Sequence, residues 1–163
     1  MGVEMKEHQP KLKEIASQCD VCAEFGVHEA DCDSSTVALL RATGKELHSV
    51  DINDKCEHEH IKELAKKLKK KWVFYLGDAK TVQIPEVEFL FIDSDHTSEQ
   101  VRGELAAHLD NVTKFVGFHD TGKDVFRGYD KAVFEVMDNH PDWEKIYHTE
   151  DSYGLTIYKR KNG

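Results

Sequence analysis

Apolar residues along this chain fall into short runs separated by stretches with helical spacing. The runs "DVCAEFGV", "ELHSVDIN", "WVFYLGD", "EVEFLFIDSD" and "KFVGFHD" predict five strands. Between them, "SSTVALLRAT" predicts a helix stopped by Gly44. "HEHIKELAKKLKK" places Ile61, Leu64 and Leu68 on one helical face, and "SEQVRGELAAHL" repeats Val101, Leu105 and Leu109 every four residues. "PKLKEIASQ" predicts a short N-terminal helix with Pro10 in its first turn, and "GYDKAVFEVMDNH" a helix that Pro141 ends. "DWEKIYHT" and "YGLTIYKRK" predict a closing hairpin.

Strands that alternate with helices over short connections pair in parallel and carry helices on both faces. Several runs are apolar throughout, as strands buried on both sides require. The expected fold is α/β: a Rossmann-like, doubly wound, mainly parallel sheet with an antiparallel C-terminal hairpin at its edge. The 163 residues contain no repeat or linker, so one domain is expected over 1–163, with an N-terminal helix in 1–18 and the core in 19–160.

In such folds ligands bind outside the carboxyl ends of the strands. Those ends carry Glu24 and Gly26, then Asp51 and Asn53, then Gly77 and Asp78. The fourth carries Asp93, Asp95 and His96, and the fifth His119 and Asp120. Charged groups seldom gather near a core without partners. Asp51 suits the hydroxyls of a ribose, and equally suits a helix cap or turn. "DSDH" and "FHDT" would bring two carboxylates together, and such a pair either raises one member's pKa or shares a cation. Mg²⁺ prefers oxygen, whereas His96 or His119 as a nitrogen donor favours Mn²⁺, Fe²⁺ or Zn²⁺. A histidine here also suits a base near neutral pH. The structural alternative has one histidine capping the next helix and Asp120 paired with Lys123 or Arg127.

Charge narrows the partners. With 22 Lys and Arg against 31 Asp and Glu, the net charge of −9 sets the surface against a phosphate backbone. The one basic run, Lys66 to Lys71, reads as a solvated helix end. No apolar run approaches the ~20 residues of a membrane span, and the polar N-terminus has no signal-peptide core. Four irregularly spaced cysteines favour a reducing, cytoplasmic setting. "CDVC", Cys32 and "CEHEH" lack the paired spacing of a structural zinc site.

In order along the chain, "CAEFGV…SSTVALL", "HSVDIND", "GDAKTV", "EFLFIDSDHTSEQVRGELAAHL", "FVGFHDT" and "DWEKIYHTEDSYGLTIYKR" resemble class I S-adenosylmethionine-dependent methyltransferases. The resemblance is to the small metal-dependent O-methyltransferase and cephalosporin-hydroxylase-like branch of bacterial or phage type. It runs from about Cys19 to Arg160 and is most specific over Phe89 to Thr121. It implies S-adenosyl-L-methionine and a divalent cation as cofactors, with Mg²⁺ or Mn²⁺ ahead of Fe²⁺ or Zn²⁺. It also implies a small hydroxylated substrate. Glu24, Gly26, Val27, Ser35 and Thr36 would surround the cofactor's methionine part. Asp51 would hold the ribose hydroxyls, Asp78 would approach the adenine amine, and Ile52 and Ala79 would be further cofactor contacts. Asp93, His119 and Asp120 would ligate the cation, and His96 would act as base or as support to the ligands, making Asp93, His96 and Asp120 the catalytic set.

Two departures from the family pattern stand out. Seven residues without glycine, His28 to Ser34, separate Val27 from Ser35, where relatives have about four including one glycine. His119 precedes Asp120 where relatives place an amide or a second acid. A methyltransferase fold that has lost methyl transfer and serves as a binding module therefore stands as the alternative. A metal-dependent hydrolase or oxygenase is a weaker one. A chain this short is also expected to close its site with a second copy of itself.

Overall fold

The computed structural model describes residues 3–27, 34–54 and 58–162. The chain runs α1 (Val3–Ala16), β1 (Val21–Phe25), α2 (Ser35–Ala42), β2 (Glu46–Asp51), α3 (His58–Leu68) and β3 (Lys71–Leu76). It continues β4 (Val87–Ile92), α4 (Ser98–His108), β5 (Val112–His119), α5 (Tyr129–Met137), β6 (Trp143–Thr149) and β7 (Leu155–Arg160). The seven strands form one sheet in the order β3-β2-β1-β4-β5-β7-β6. The first five are parallel, and β7 is antiparallel to both β5 and β6. This is the doubly wound architecture expected from the sequence.

Alternation along each strand divides the core. Cys22, Phe89, Phe91 and Phe115 face Met5, Leu12, Leu39 and Ile61 on α1, α2 and α3. Ala23, Leu90, Ile92, Val116 and Phe118 face Val101, Leu105, Val133 and Met137 on α4 and α5. The central strands are buried on both faces, which explains their unbroken apolar runs. β3 is an edge strand and only half-buried.

Two helix boundaries differ from expectation. α1 begins at Val3, so Pro10 lies inside it rather than in its first turn. The buried Met5 and His8 hold the segment before Pro10 against the fold, which offsets the missing backbone donor. α5 ends at Met137, before Pro141, and Asp138 N–H closes it on Phe134 O. Chain order reverses between β1 and β4, and a crevice opens there at the carboxyl ends of the strands.

Candidate functional site

At the end of β1 the chain turns through Gly26 with φ +89°. A Cβ there would stand 2.0 Å from the carbonyl oxygen of Asp93, so the close approach of the β1 and β4 ends requires glycine. Val27 N–H then donates to Asp51 Oδ2 at 2.6 Å, and Asn53 N–H to Asp51 Oδ1 at 2.7 Å. Asp51 thus ties the β1 turn to the β2 end while each of its oxygens keeps a lone pair.

These strand ends enclose a cavity of about 680 Å³, within the usual range for a small-molecule site. Gly26, Val27, Asp51, Ile52, Asp78, Ala79 and Asp93, all singled out from the sequence, line it. Val50, Asn53, Gly77, Ser94, Asp95 and Gln100 complete the wall. Ile52 is 67% exposed, an apolar side chain held in water at the rim. Asp78 accepts from Lys80 N–H at 2.9 Å and from Gln100 Nε2 at 3.2 Å, and these bonds hold its pKa below the usual carboxylate range.

Glu24, Ser35 and Thr36 do not line the cavity. Glu24 is fully buried and accepts from Ser35 Oγ at 3.1 Å and Ser49 Oγ at 2.8 Å. Burial pushes its pKa up to about 7 despite these hydroxyl donors. Ser34 caps α2 through Val37 N–H. Residues 28–33, which carry most of the glycine-free stretch, and Cys56 lie outside the described residues.

Beside the cavity, Asp93, His96, His119 and Asp120 form one cluster whose candidate ligand atoms all lie within 4.8 Å of one another. His96 Nε2 is 2.8 Å from Asp120 Oδ2 and 3.2 Å from Asp93 Oδ1. His119 Nδ1 is 3.1 Å from Asp93 Oδ1 and 3.2 Å from Asp120 Oδ2. Burial opposes charge on both imidazoles, yet hydrogen bonds to Asp120 and Asp93 push His96 up to about 9 and His119 to about 10. Burial would raise Asp120 too, but the bonds from His119 and His96 hold it low. Asp120 has φ +59° and donates its N–H to Gly154 O at 2.9 Å, so the loop before β7 fixes its left-handed backbone. Phe126, 40% exposed, stacks on His96 at 4.4 Å.

The structural alternative for these residues is not what the fold adopts. Thr97, not a histidine, caps α4 through Gln100 N–H, and Asp120 pairs with the two histidines rather than with Lys123 or Arg127. Among the described residues this is the one cluster of metal-ligating side chains. Cys19 and Cys22 are buried free thiols. Lys70, from the basic run, donates to Leu40 O and Arg41 O at the end of α2.

No protein-family model matches the chain, and no curated protein matches it in sequence. Solved structures do match. A methyltransferase from Geobacter sulfurreducens is 12% identical with a TM-score of 0.67, over 94% of this chain and 78% of that one. A proposed caffeoyl-CoA O-methyltransferase from Staphylococcus aureus is 10% identical with a TM-score of 0.67, over 98% of this chain and 84% of that one. MycE methyltransferase of the mycinamycin pathway, solved with Mg, S-adenosylhomocysteine (SAH) and mycinamycin VI, is 14% identical with a TM-score of 0.64. That match spans 96% of this chain and 49% of MycE. A proposed RNA methyltransferase from Pyrococcus horikoshii and an rRNA methylase from Streptococcus thermophilus share the architecture as well. At these identities the likeness is one of fold: this chain has the Rossmann-like methyltransferase fold.

Proposed function

We propose that this protein transfers a methyl group from S-adenosylmethionine to a hydroxyl of a small substrate, assisted by a divalent cation. The observation that carries the reading is the position of Asp93, which both lines the cavity and belongs to the His–Asp cluster. A methyl donor in the one would lie against a cation in the other.

In this reading Asp51 accepts both ribose hydroxyls on the lone pairs that Val27 and Asn53 leave open. Ile52 packs on the adenine ring, and Asp78 with Ala79 borders its edge. Gly26 and Val27 leave backbone rather than side chain against the methionine end, and Glu24, Ser35 and Thr36 support that turn from the core. The bound cofactor supplies an electrophilic methyl on a sulfonium.

The cluster fits a dication. Two carboxylates already hold positive charge between them, and Asp93 Oδ1 and Asp120 Oδ2 both lie within 3.2 Å of His119 Nδ1, a mixed oxygen and nitrogen donor set gathered around one point. Asp93, His119 and Asp120 would be the ligands. A donor set with imidazole suits Mn²⁺ better than Mg²⁺, which takes oxygen. The cation, when bound, lowers the pKa of a substrate hydroxyl and fixes its oxygen. His96, held by Asp120 and covered by Phe126, is the base of this reading: with a dication beside the two carboxylates its imidazole would give up its own proton and would then take that of the hydroxyl. The net charge of −9 favours a small acceptor over RNA.

Mn²⁺ binding followed by electron paramagnetic resonance tests the cluster. One site per chain is expected, weakened at least roughly 10- to 100-fold in Asp93→Asn and in Asp120→Asn, since even the loss of a group that only supports a ligand costs that much. Equal affinity in the wild type and both variants would remove the cation from the reading.

A further inference from the structure

The turn that carries Asp120 is held by an unusual stretch of the loop before β7. Ser152 has φ +49°, Tyr153 φ +69° and Gly154 φ +97°, three consecutive residues with positive φ. Residues with side chains adopt that backbone seldom and keep it only where their surroundings fix it. The run presents two carbonyls to the turn: Tyr153 O accepts from Gly122 N–H at 2.7 Å, and Gly154 O from Asp120 N–H at 2.9 Å. The two segments lie so close that a Cβ on Gly154 would stand 2.2 Å from Gly122 N. Pairing of β5 with β7 ends at His119 and Leu155, and beyond it these bonds guide the Asp120 backbone.

Two side chains of α1 hold this run at its start. His8 Nε2 lies 3.0 Å from Ser152 O, and because a carbonyl oxygen only accepts, the imidazole donates. Ser152 Oγ donates to the carboxylate of Glu7. Glu7 is exposed, whereas His8 is buried, so water cannot replace the His8 bond at little cost. The His8 ring also stands edge-on to His119, with 5.2 Å between ring centres and 77° between planes. One buried side chain therefore touches both the loop that sets Asp120 and the imidazole next to Asp120 in the chain.

We infer that His8 is a positioning residue for the His–Asp cluster: from α1 it fixes Ser152 and His119, and so sets how tightly Asp93, His119 and Asp120 take a dication. The inference rests on the cation reading of that cluster. It adds to that reading an element, the N-terminal helix, that contributes no ligand and yet governs cation affinity. The coupling is reciprocal, so a bound cation must in turn hold α1 more firmly on the fold.

Mn²⁺ affinity measured by electron paramagnetic resonance in His8→Leu and His8→Gln tests this, with titration of S-adenosylmethionine alongside. Leucine fills the buried position without a donor, whereas glutamine carries an N–H to about the place of Nε2. His8→Leu is expected to bind Mn²⁺ roughly tenfold more weakly, the low end of what groups that only support a ligand carry. Its affinity for S-adenosylmethionine without cation should stay that of the wild type, and His8→Gln should recover most of the loss. Packing alone predicts the opposite order, since leucine suits a buried site better than glutamine. In the wild type, Mn²⁺ should also slow hydrogen exchange of the α1 amides, a reading that needs no variant to fold. Equal Mn²⁺ affinity in the wild type and His8→Leu would overturn this inference and leave the cation reading standing. So would α1 exchange that bound Mn²⁺ leaves unchanged, or a loss in His8→Leu that strikes both ligands alike. Failure of the wild type to bind Mn²⁺ would overturn both.

Discussion

Single residues set the geometry at the strand ends, and Gly26 is the clearest case. With φ +89° and the Asp93 carbonyl 2.0 Å from where a Cβ would stand, Gly26→Ala must separate the ends of β1 and β4. A cost of about 3 kcal/mol is expected in urea denaturation, at the level of other strained backbone positions. Glu24 gives a pH signature. Its carboxyl titrates at about 7 in the folded chain against an ordinary value of 4.5. Between those values the folded state binds more protons than the unfolded one, so this group lowers stability as pH rises from 4.5 to 7, and no further above. The loss is about 3 kcal/mol at most. Glu104, raised to about 7 by burial, adds a slope of the same sign. Urea denaturation at pH 5 and pH 8 should therefore show a smaller decline for Glu24→Gln than for the wild type, and an identical decline would contradict the assignment. Much of this layer was legible in the sequence, because acidic and imidazole residues at the ends of predicted strands must share one rim. Ser94 and Gln100 were not: they read as ordinary polar residues around a helix start, and what ties them to the cavity wall is their hydrogen bonds to Glu104 and, for Gln100, to Asp78.

At the scale of elements, caps and packing stiffen what the residues form. Thr97 caps α4, the helix that carries Gln100 and Glu104, and follows directly on His96. Thr97→Ala should cost about 1 kcal/mol in urea denaturation, the usual worth of an N-cap. α1 packs against α2, and His8 Nε2 lies 3.0 Å from Ser152 O in the loop before β7, so the N-terminal helix braces the loop that fixes Asp120. Its core residue Leu12 is fully buried, and Leu12→Ala should cost about 2–5 kcal/mol. The hydrophobic periods showed the central strands and the α-helices, which bury one regular face or both, whereas β6, exposed along most of its length, is legible from its place in the closing hairpin. They misplaced the start of α1 because Pro10 ordinarily marks a first turn, and tertiary contacts of Met5 and His8 override that preference. The end of α5 at Met137, set by its own last turn rather than by Pro141, is the same kind of local choice.

At the scale of the whole molecule, strand order turns these parts into one site. β4 lies between β1 and β5, so Asp93 at its end stands between the cavity, formed with the ends of β1, β2 and β3, and the cluster, closed by the end of β5. The parallel order and the terminal hairpin follow from the alternation of elements in the sequence. That β7 inserts beside β5, leaving β6 at the edge, is set by long-range pairing that no local pattern encodes. The central claim is that the cavity holds S-adenosylmethionine through Asp51 beside a cation held by the cluster. Calorimetric titration of S-adenosylmethionine into the protein, with and without Mn²⁺, tests it most directly. The expected result is one site per chain in both conditions, with affinity lowered at least about tenfold in Asp51→Ala, which removes the carboxylate that in this account would accept charge-assisted hydrogen bonds from the ribose. No binding by the wild type in either condition would contradict the account.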